Sequence, residues 1–461
     1  MKANVELVEK HKPSASSVKK ILHNISWLVG DKFVEWGFAL FVGVWMARYL
    51  GPEGLGQLNF AVAFIALCVP LMQLGLTNIV VRELVSHPAE SNEIMGTSLA
   101  LQFVAAILLI AAVNAIVLYF QVNDETTSLF ISLLSVTLLF RCVDNIKWWN
   151  QSQVQSKYSV WANRTGMVVA LTFRLGLILA VAPLETFIWA WILNAVVTAC
   201  LLLILYQSVY QSLSHWRISR KWARKLLSDS WPLLFTAVAS TVYLQIDKVM
   251  LGYMATNSDV GIYTAATRIS ELWYFVPTII VGTLFPAIIR SSKGDKRTYA
   301  NRIQALMDLM SLYSLMVIVF LGVFSHSIIT LLYGEKFSES GDVLRIHSIA
   351  ILFVATGACR NRWLIAENRT RFIMFATILG AVANVTLNFL FIPSSQGVGA
   401  AWATLFSYGI STYVACLLWP GVNDAFRKLS KSYVVIFRAG LVISFLQQTI
   451  DARKSKVTKS N

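Results

Sequence analysis

The sequence predicts an all-α, polytopic membrane protein. About 12 transmembrane helices would form two six-helix bundles around a central cavity, with both termini cytoplasmic. Three observations predict it. Of 461 residues, 56% are hydrophobic and only 14% charged, where a soluble chain carries about 25% charge. Mean hydropathy is +0.61. The apolar residues fall in runs that meet the roughly 20 residues a bilayer-spanning helix needs. Basic residues fall on alternate loops, as in helical membrane proteins. An ordinary soluble enzyme, a disordered chain and a fibrous chain are thereby excluded. A membrane β-barrel would show short strands of strict alternation. The run LQFVAAILLIAAVNAIVLYF at 101–120 has no period of two.

The expected spans, in order, are 25–47, 58–80, 97–120, 128–149, 160–182, 186–208, 230–252, 262–289, 306–332, 343–365, 372–392 and 398–420. The first carries Asp31, Lys32 and Glu35, and the fourth Arg141 and Asp144. A shorter apolar stretch, 433–446, is broken by Arg438 and reads as an interfacial helix. The chain divides into a cytoplasmic segment 1–20, a first bundle 21–210, a basic linker 211–228, a second bundle 229–420 and a basic tail 421–461.

Charge sets the orientation. Thirty-one of the 39 Lys and Arg residues fall on the N-terminus, the loops after even-numbered spans and the tail. The opposite loops hold Arg48, Lys336 and Arg345. The positive-inside rule then places both termini and the 209–225 loop in the cytoplasm. The net charge of +15 is accounted for by this topology, so nucleic acid is not an expected partner. The first apolar run is long and lacks a small-residue cleavage site, so it is expected to stay as a signal anchor. The five cysteines lie in or at spans, with spacing for neither a disulfide framework nor zinc. No metal site is expected.

Several features read as structural. Pro70, Pro232, Pro277 and Pro286 would kink spans. Gly397 and Gly399, with nearby alanines, allow close helix packing. Trp148, Trp149, Trp216, Trp222, Trp231 and Trp419 suit interfacial belts. The outside loops QVNDETTS, PLE and PSSQG are too short to fold alone. A weak parallel repeat relates Leu50-Gly51 to Leu251-Gly252 and Gly56 to Gly261, just after the first span of each bundle.

ARYLGPEGLGQLNFAVAF (47–64), LGLTNIVVREL (74–84), QSQVQSKYSVWANR (151–164), YLQIDKVMLGYM with VGIYTAATRISELWYFVP (243–277) and GVGAAWATL (397–405) resemble Wzx-type polysaccharide flippases. These belong to the multidrug/oligosaccharidyl-lipid/polysaccharide exporter superfamily. The resemblance covers roughly 20–420 and is specific to the family, not to a sugar. It implies carriage of undecaprenyl-pyrophosphate-linked oligosaccharide units to the outer face of the bacterial inner membrane. O-antigen, exopolysaccharide or capsule synthesis would use them. It also implies no covalent chemistry and no cofactor beyond a coupling H+ or Na+. Contact with membrane lipid, a polysaccharide polymerase and a chain-length regulator is a family-level expectation.

A diphosphate cannot cross hydrocarbon without a polar path. Intramembrane charges are therefore the candidates. Arg174, Lys32, Arg141, Arg268, Lys248 and Arg48 would hold the anion. Asp31, Glu35, Asp144, Asp247 and Glu271 could carry the coupling ion. Structural readings compete: Arg141–Asp144 and Arg268–Glu271 as local ion pairs, Arg48 snorkelling, Asp247–Lys248 capping a span. Arg174 has no acidic neighbour within four residues. His326 and His347, near outer ends of spans, read as structural. Two other functions compete. A polymerase or ligase would need a large outside loop, and none is present. A multidrug-type exporter of cations would rely on carboxylates alone, whereas both signs of charge occur here.

Overall fold

The computed structural model describes residues 15–120, 124–210, 213–290 and 296–434, with the side chains of 15–36, 38, 39, 120, 287 and 290 left aside. Among the described residues there is no strand. The first bundle uses α1 (Ala15–Gln73), α2 (Leu76–Ser86), α3 (Ser91–Phe120), α4 (Glu125–Ser135), α5 (Thr137–Arg141), α6 (Asn145–Ser152), α7 (Lys157–Leu179) and α8 (Trp189–Val209). The second uses α9 (Arg220–Met254), α10 (Asn257–Glu271), α11 (Phe275–Arg290), α12 (Lys296–Tyr333), α13 (Ser340–Ile349), α14 (Ile351–Ala366), α15 (Thr370–Gly409) and α16 (Ala415–Leu418). Helix α17 (Asn423–Tyr433) follows.

Ten described stretches are long and apolar enough to cross a membrane. Two of these, Leu40–Ser86 and Thr370–Leu418, have 47 and 49 residues. At 1.5 Å per residue each is about 70 Å, more than twice the hydrocarbon thickness. Both are interrupted. Helix α1 breaks at Gly51, whose φ of 70° and ψ of 179° are open to a residue without Cβ. Helix α15 breaks at Ser395 and Gln396. The breaks fall in the GPEG and PSSQG segments, and Leu40–Ser86 is divided again at Leu74 and Gly75, between α1 and α2.

The loops sort to two ends. At the basic end, the Arg217 amide donates to the Asn92 carbonyl at 3.2 Å, and Lys225 meets Glu83 at 2.7 Å. There too Tyr299 donates to Glu367 at 3.2 Å. At the other end, Tyr49 donates to the Ala182 carbonyl at 2.7 Å and Gln57 to Asp124. These contacts join loops of the same expected side, which is what a consistent span alternation requires.

The bundles meet at the basic end, where Lys225 of α9 reaches Glu83 of α2, and also at the less basic end. The repeat glycines sit face to face there. A methyl group on Gly56 would overlap the Asn257 carbonyl oxygen, and one on Gly261 would overlap that of Pro52. The Phe60 ring lies against Gly252 in the same way. Around this crossing Met46, Leu55, Leu58, Leu251, Val260 and Ala266 form one buried cluster. Arg48 adds a polar latch, donating from Nε to the Leu332 carbonyl at 2.7 Å and from Nη2 to that of Leu331. That satisfies carbonyls at the end of α12, which have no partner further along the helix.

Some elements differ from the sequence reading. Helix α17 lies in what read as basic tail. It buries Ala425 and Leu429 against the second bundle. Lys428 leans over Trp363 at 5.8 Å and donates to the Ala300 carbonyl at 3.0 Å. Burial pushes the Lys428 ammonium below its usual pKa. Of the expected interfacial helix 433–446, all beyond Val434 lies outside the described residues. Trp148 and Trp222 are not belt residues: only 5% and 1% exposed, they pack in a cluster with Leu76, Val80 and Ile94. The fourth span is a chain of short helices, with a tight turn at Cys142–Asp144.

Candidate functional site

A cavity of about 760 Å3 lies between the second half of α1, α4 to α8, and α9 of the other bundle. Along α1 its lining runs from Val62 to Gln73, on the basic side of the glycine crossing at Gly56. On its α5–α6 side it is charged, with Arg141, Asp144 and Lys147 lining it. The candidate Arg141–Asp144 ion pair is not what forms. Asp144 pairs with Lys147 instead, at 2.6 Å. Both partners lie three residues from Asp144, and the tight turn at Cys142–Asp144 brings Lys147 to it. Arg141 is left exposed to the cavity. The α7–α9 side is uncharged and polar. It presents Asn163, Trp191, Asn194, Thr198, Ser240 and Gln245.

Arg174 lies behind this wall. Its guanidinium stacks on the Trp191 ring, 3.9 Å from the centroid, a favourable cation–π geometry. Its Nε is buried without a hydrogen-bond partner. Trp191, not Arg174, is the surface that the cavity meets. Arg268 crosses the bundle interface, donating from Nη2 to Asn59 Oδ1 at 2.9 Å. That contact replaces the candidate pair with Glu271, which is exposed. Lys248 reaches Gln245 at 3.4 Å, a residue that lines the cavity. Asp31, Lys32 and Glu35 lie on the helical backbone of α1, but their side chains are outside the described residues.

Asp247 does more than cap a span. It is 5% exposed and sits within the second bundle. Oδ2 accepts from Tyr263 at 2.7 Å and from Thr404 at 2.7 Å. Oδ1 accepts from Asn388 at 2.5 Å. Asn388 Nδ2 also reaches Asn384 Oδ1 at 3.3 Å, and Asn388 Oδ1 has no partner. Three donors on one buried carboxylate satisfy its acceptors. With the carboxylate, amide and hydroxyl oxygens, the cluster is oxygen-rich, the donor type suited to a hard cation. Sequence reasoning named Asp247 but none of its partners. Asn384 and Asn388, four apart in an apolar run, were the available signal. His347, buried nearby, shares a hydrogen with Ser270 at 2.7 Å and has a structural place.

Two helical bundles enclosing a polar cavity define a polytopic transporter-type membrane protein. Residues 21–292, more than half of the chain, match the family model described as polysaccharide biosynthesis protein. The chain belongs to that family. Residues 232–390 also match the MatE model. A probable low-salt glycan biosynthesis flippase, Agl15, of Haloferax volcanii is 28% identical over 42% of this chain and 41% of its own length. The chain thus matches about two-fifths of that relative. The capsular polysaccharide biosynthesis protein CapF of Staphylococcus aureus is 20% identical over 79% of this chain and 90% of its own. Among solved structures, the lipid II flippase MurJ in an inward closed conformation superposes with TM-score 0.71 at 14% identity, covering 93% of this chain and 96% of MurJ. An inward-facing multidrug resistance MATE transporter gives TM-score 0.64 at 13% identity over 88% and 95%. These superpositions establish the shared fold.

Proposed function

We propose that the chain is a flippase for undecaprenyl-pyrophosphate-linked oligosaccharide units. It would move them from the cytoplasmic to the outer face of a bacterial inner membrane by alternating access. In this reading it crosses the membrane twelve times, with both termini cytoplasmic and the linker 211–228 joining the lobes. The observation that carries the reading is the interlobe cavity. It lies between the lobes on the basic side of the glycine crossing and is lined by the Arg141 cation. That is the cavity a state loading an anionic lipid head from the cytoplasm would need. Family membership and the glycan-flippase names of relatives support the same reading. Arg141 would meet the diphosphate first, with Lys32, Arg174, Arg268 and Lys248 along the path and Arg48 at the outer gate. Asp247 would bind the coupling ion, H+ or Na+, because its carboxylate is buried and meets three neutral donors, Tyr263, Thr404 and Asn388.

The MatE match and the MATE-like fold favour one second reading, a cation-coupled exporter of small molecules. A deletion strain separates the two. The flippase reading expects loss of surface polysaccharide and accumulation of single-repeat lipid intermediates, restored by the wild-type gene. Unchanged surface polymer with altered drug sensitivity would select the exporter.

A further inference from the structure

We infer that the α7–α9 wall of the cavity is a glycan subsite for an uncharged sugar ring, spatially separate from the cationic α5–α6 side that faces the diphosphate. The inference rests on the lipid-linked glycan reading and names the part of the cavity that tells a sugared lipid from a bare one.

The chemistry is in the side chains. Of the residues lining this wall none is charged, while the charged lining residues Arg141, Asp144 and Lys147 all come from the α5–α6 segment. The wall offers amides and hydroxyls, which pair with sugar hydroxyls as both donors and acceptors. Much of that capacity is unspent. Asn163 has no hydrogen-bond partner among the described residues. Thr198 donates to Asn194 Oδ1 at 3.4 Å, which leaves the Asn194 amide hydrogens free toward the cavity. Ser240 donates to the Thr236 carbonyl at 2.8 Å, leaving its oxygen to accept. Trp191 adds an apolar face, on which the C–H side of a pyranose ring can lie. Arg174 stacks against Trp191 at 3.9 Å, which fixes the ring plane.

The backbone positions this set. A methyl group on Gly166 would overlap Thr198 Oγ1 and come within 2.8 Å of Asn194 Oδ1. Gly166 therefore lets α7 and α8 close up and holds the Asn194–Thr198 pair in place. It is a positioning residue, and the pair are the contact residues. The cavity, about 760 Å3, is within the range of sites that enclose drug-sized ligands, roughly 300–1,000 Å3, so a sugar and a diphosphate fit together.

The test is binding of two probes to purified full-length protein in nanodiscs: undecaprenyl pyrophosphate, and undecaprenyl pyrophosphate carrying N-acetylglucosamine. Wild type should bind the sugared probe more tightly. Asn163→Ala and Asn194→Ala should each reduce that preference about three- to tenfold, the worth of one hydrogen bond, and leave affinity for the bare lipid unchanged. Retained bare-lipid binding also reports that each variant is folded, and Asn163→Ala removes a side chain with no partner to lose. Gly166→Ala should reduce the preference as well. Equal affinity of wild type for both probes, or variants that weaken both equally, would overturn the subsite while leaving the flippase reading standing. No binding of either lipid would overturn both.

Discussion

Replacing Gly261 with alanine should hold the outer gate open. The added methyl would overlap the Pro52 carbonyl oxygen, and across the same contact Gly56 already meets Asn257 backbone. Neither neighbour is a flexible side chain, so the lobes must part to make room. Inserting a methyl into a tight contact costs about 1–3 kcal/mol. Only the closed state bears that cost. The closed-to-open ratio should therefore fall by about 5- to 150-fold. The assay is labelling of Ser240→Cys, which lines the cavity, in a chain whose five native cysteines are replaced. A membrane-impermeant maleimide is added to right-side-out vesicles. Gly261→Ala should raise the labelling rate at least fivefold, and Gly56→Ala should do the same. Unchanged labelling at normal protein levels would refute the glycine crossing as the gate.

Other expectations concern charge and packing. Asp247→Asn should keep a folded protein that still binds lipid pyrophosphate, yet abolish the dependence of transport on an imposed H+ or Na+ gradient, measured in proteoliposomes. Arg268→Ala removes the hydrogen bond to Asn59 and a cation proposed for the path; surface polysaccharide in a complemented deletion strain should fall at least tenfold, with partial recovery in Arg268→Lys. Lys147→Gln breaks a part-exposed pair with Asp144 and should change thermal stability by less than about 1 kcal/mol, read by a thermal-shift assay. Leu429→Ala in α17 empties a fully buried site and should cost about 2–5 kcal/mol in the same assay.

What the sequence disclosed follows from how local each signal is. Spans rest on runs of adjacent residues, so the membrane helices and the breaks at Gly51 and Gln396 were legible. Helix α17 was not, because NDAFRKLSKSY is short and mostly polar and buries only a narrow stripe. Partners were the weakest inference. Arg141 and Lys147 stand equally far from Asp144 along the chain, and only the turn at Cys142–Asp144 separates them. Arg268 and Asn59 lie 209 residues apart, and Asp247 gathers donors from three other segments. Trp222 read as interfacial; its ring is instead buried, and its indole donates to Glu90 at 2.8 Å. Repeat glycines Gly56 and Gly261 matched in sequence, but their mutual contact is a property of the fold.

The most direct test of the flippase claim is transport by the purified chain alone. Undecaprenyl pyrophosphate carrying N-acetylglucosamine is reconstituted in both leaflets of proteoliposomes, and a galactosyltransferase with labelled donor is added outside. A flippase predicts that labelling continues past the outer-leaflet fraction until the whole pool is modified, and that Gly261→Ala alters the rate of this second phase. Labelling that stops at the outer-leaflet fraction, as in protein-free liposomes, with or without an ion gradient, would contradict it.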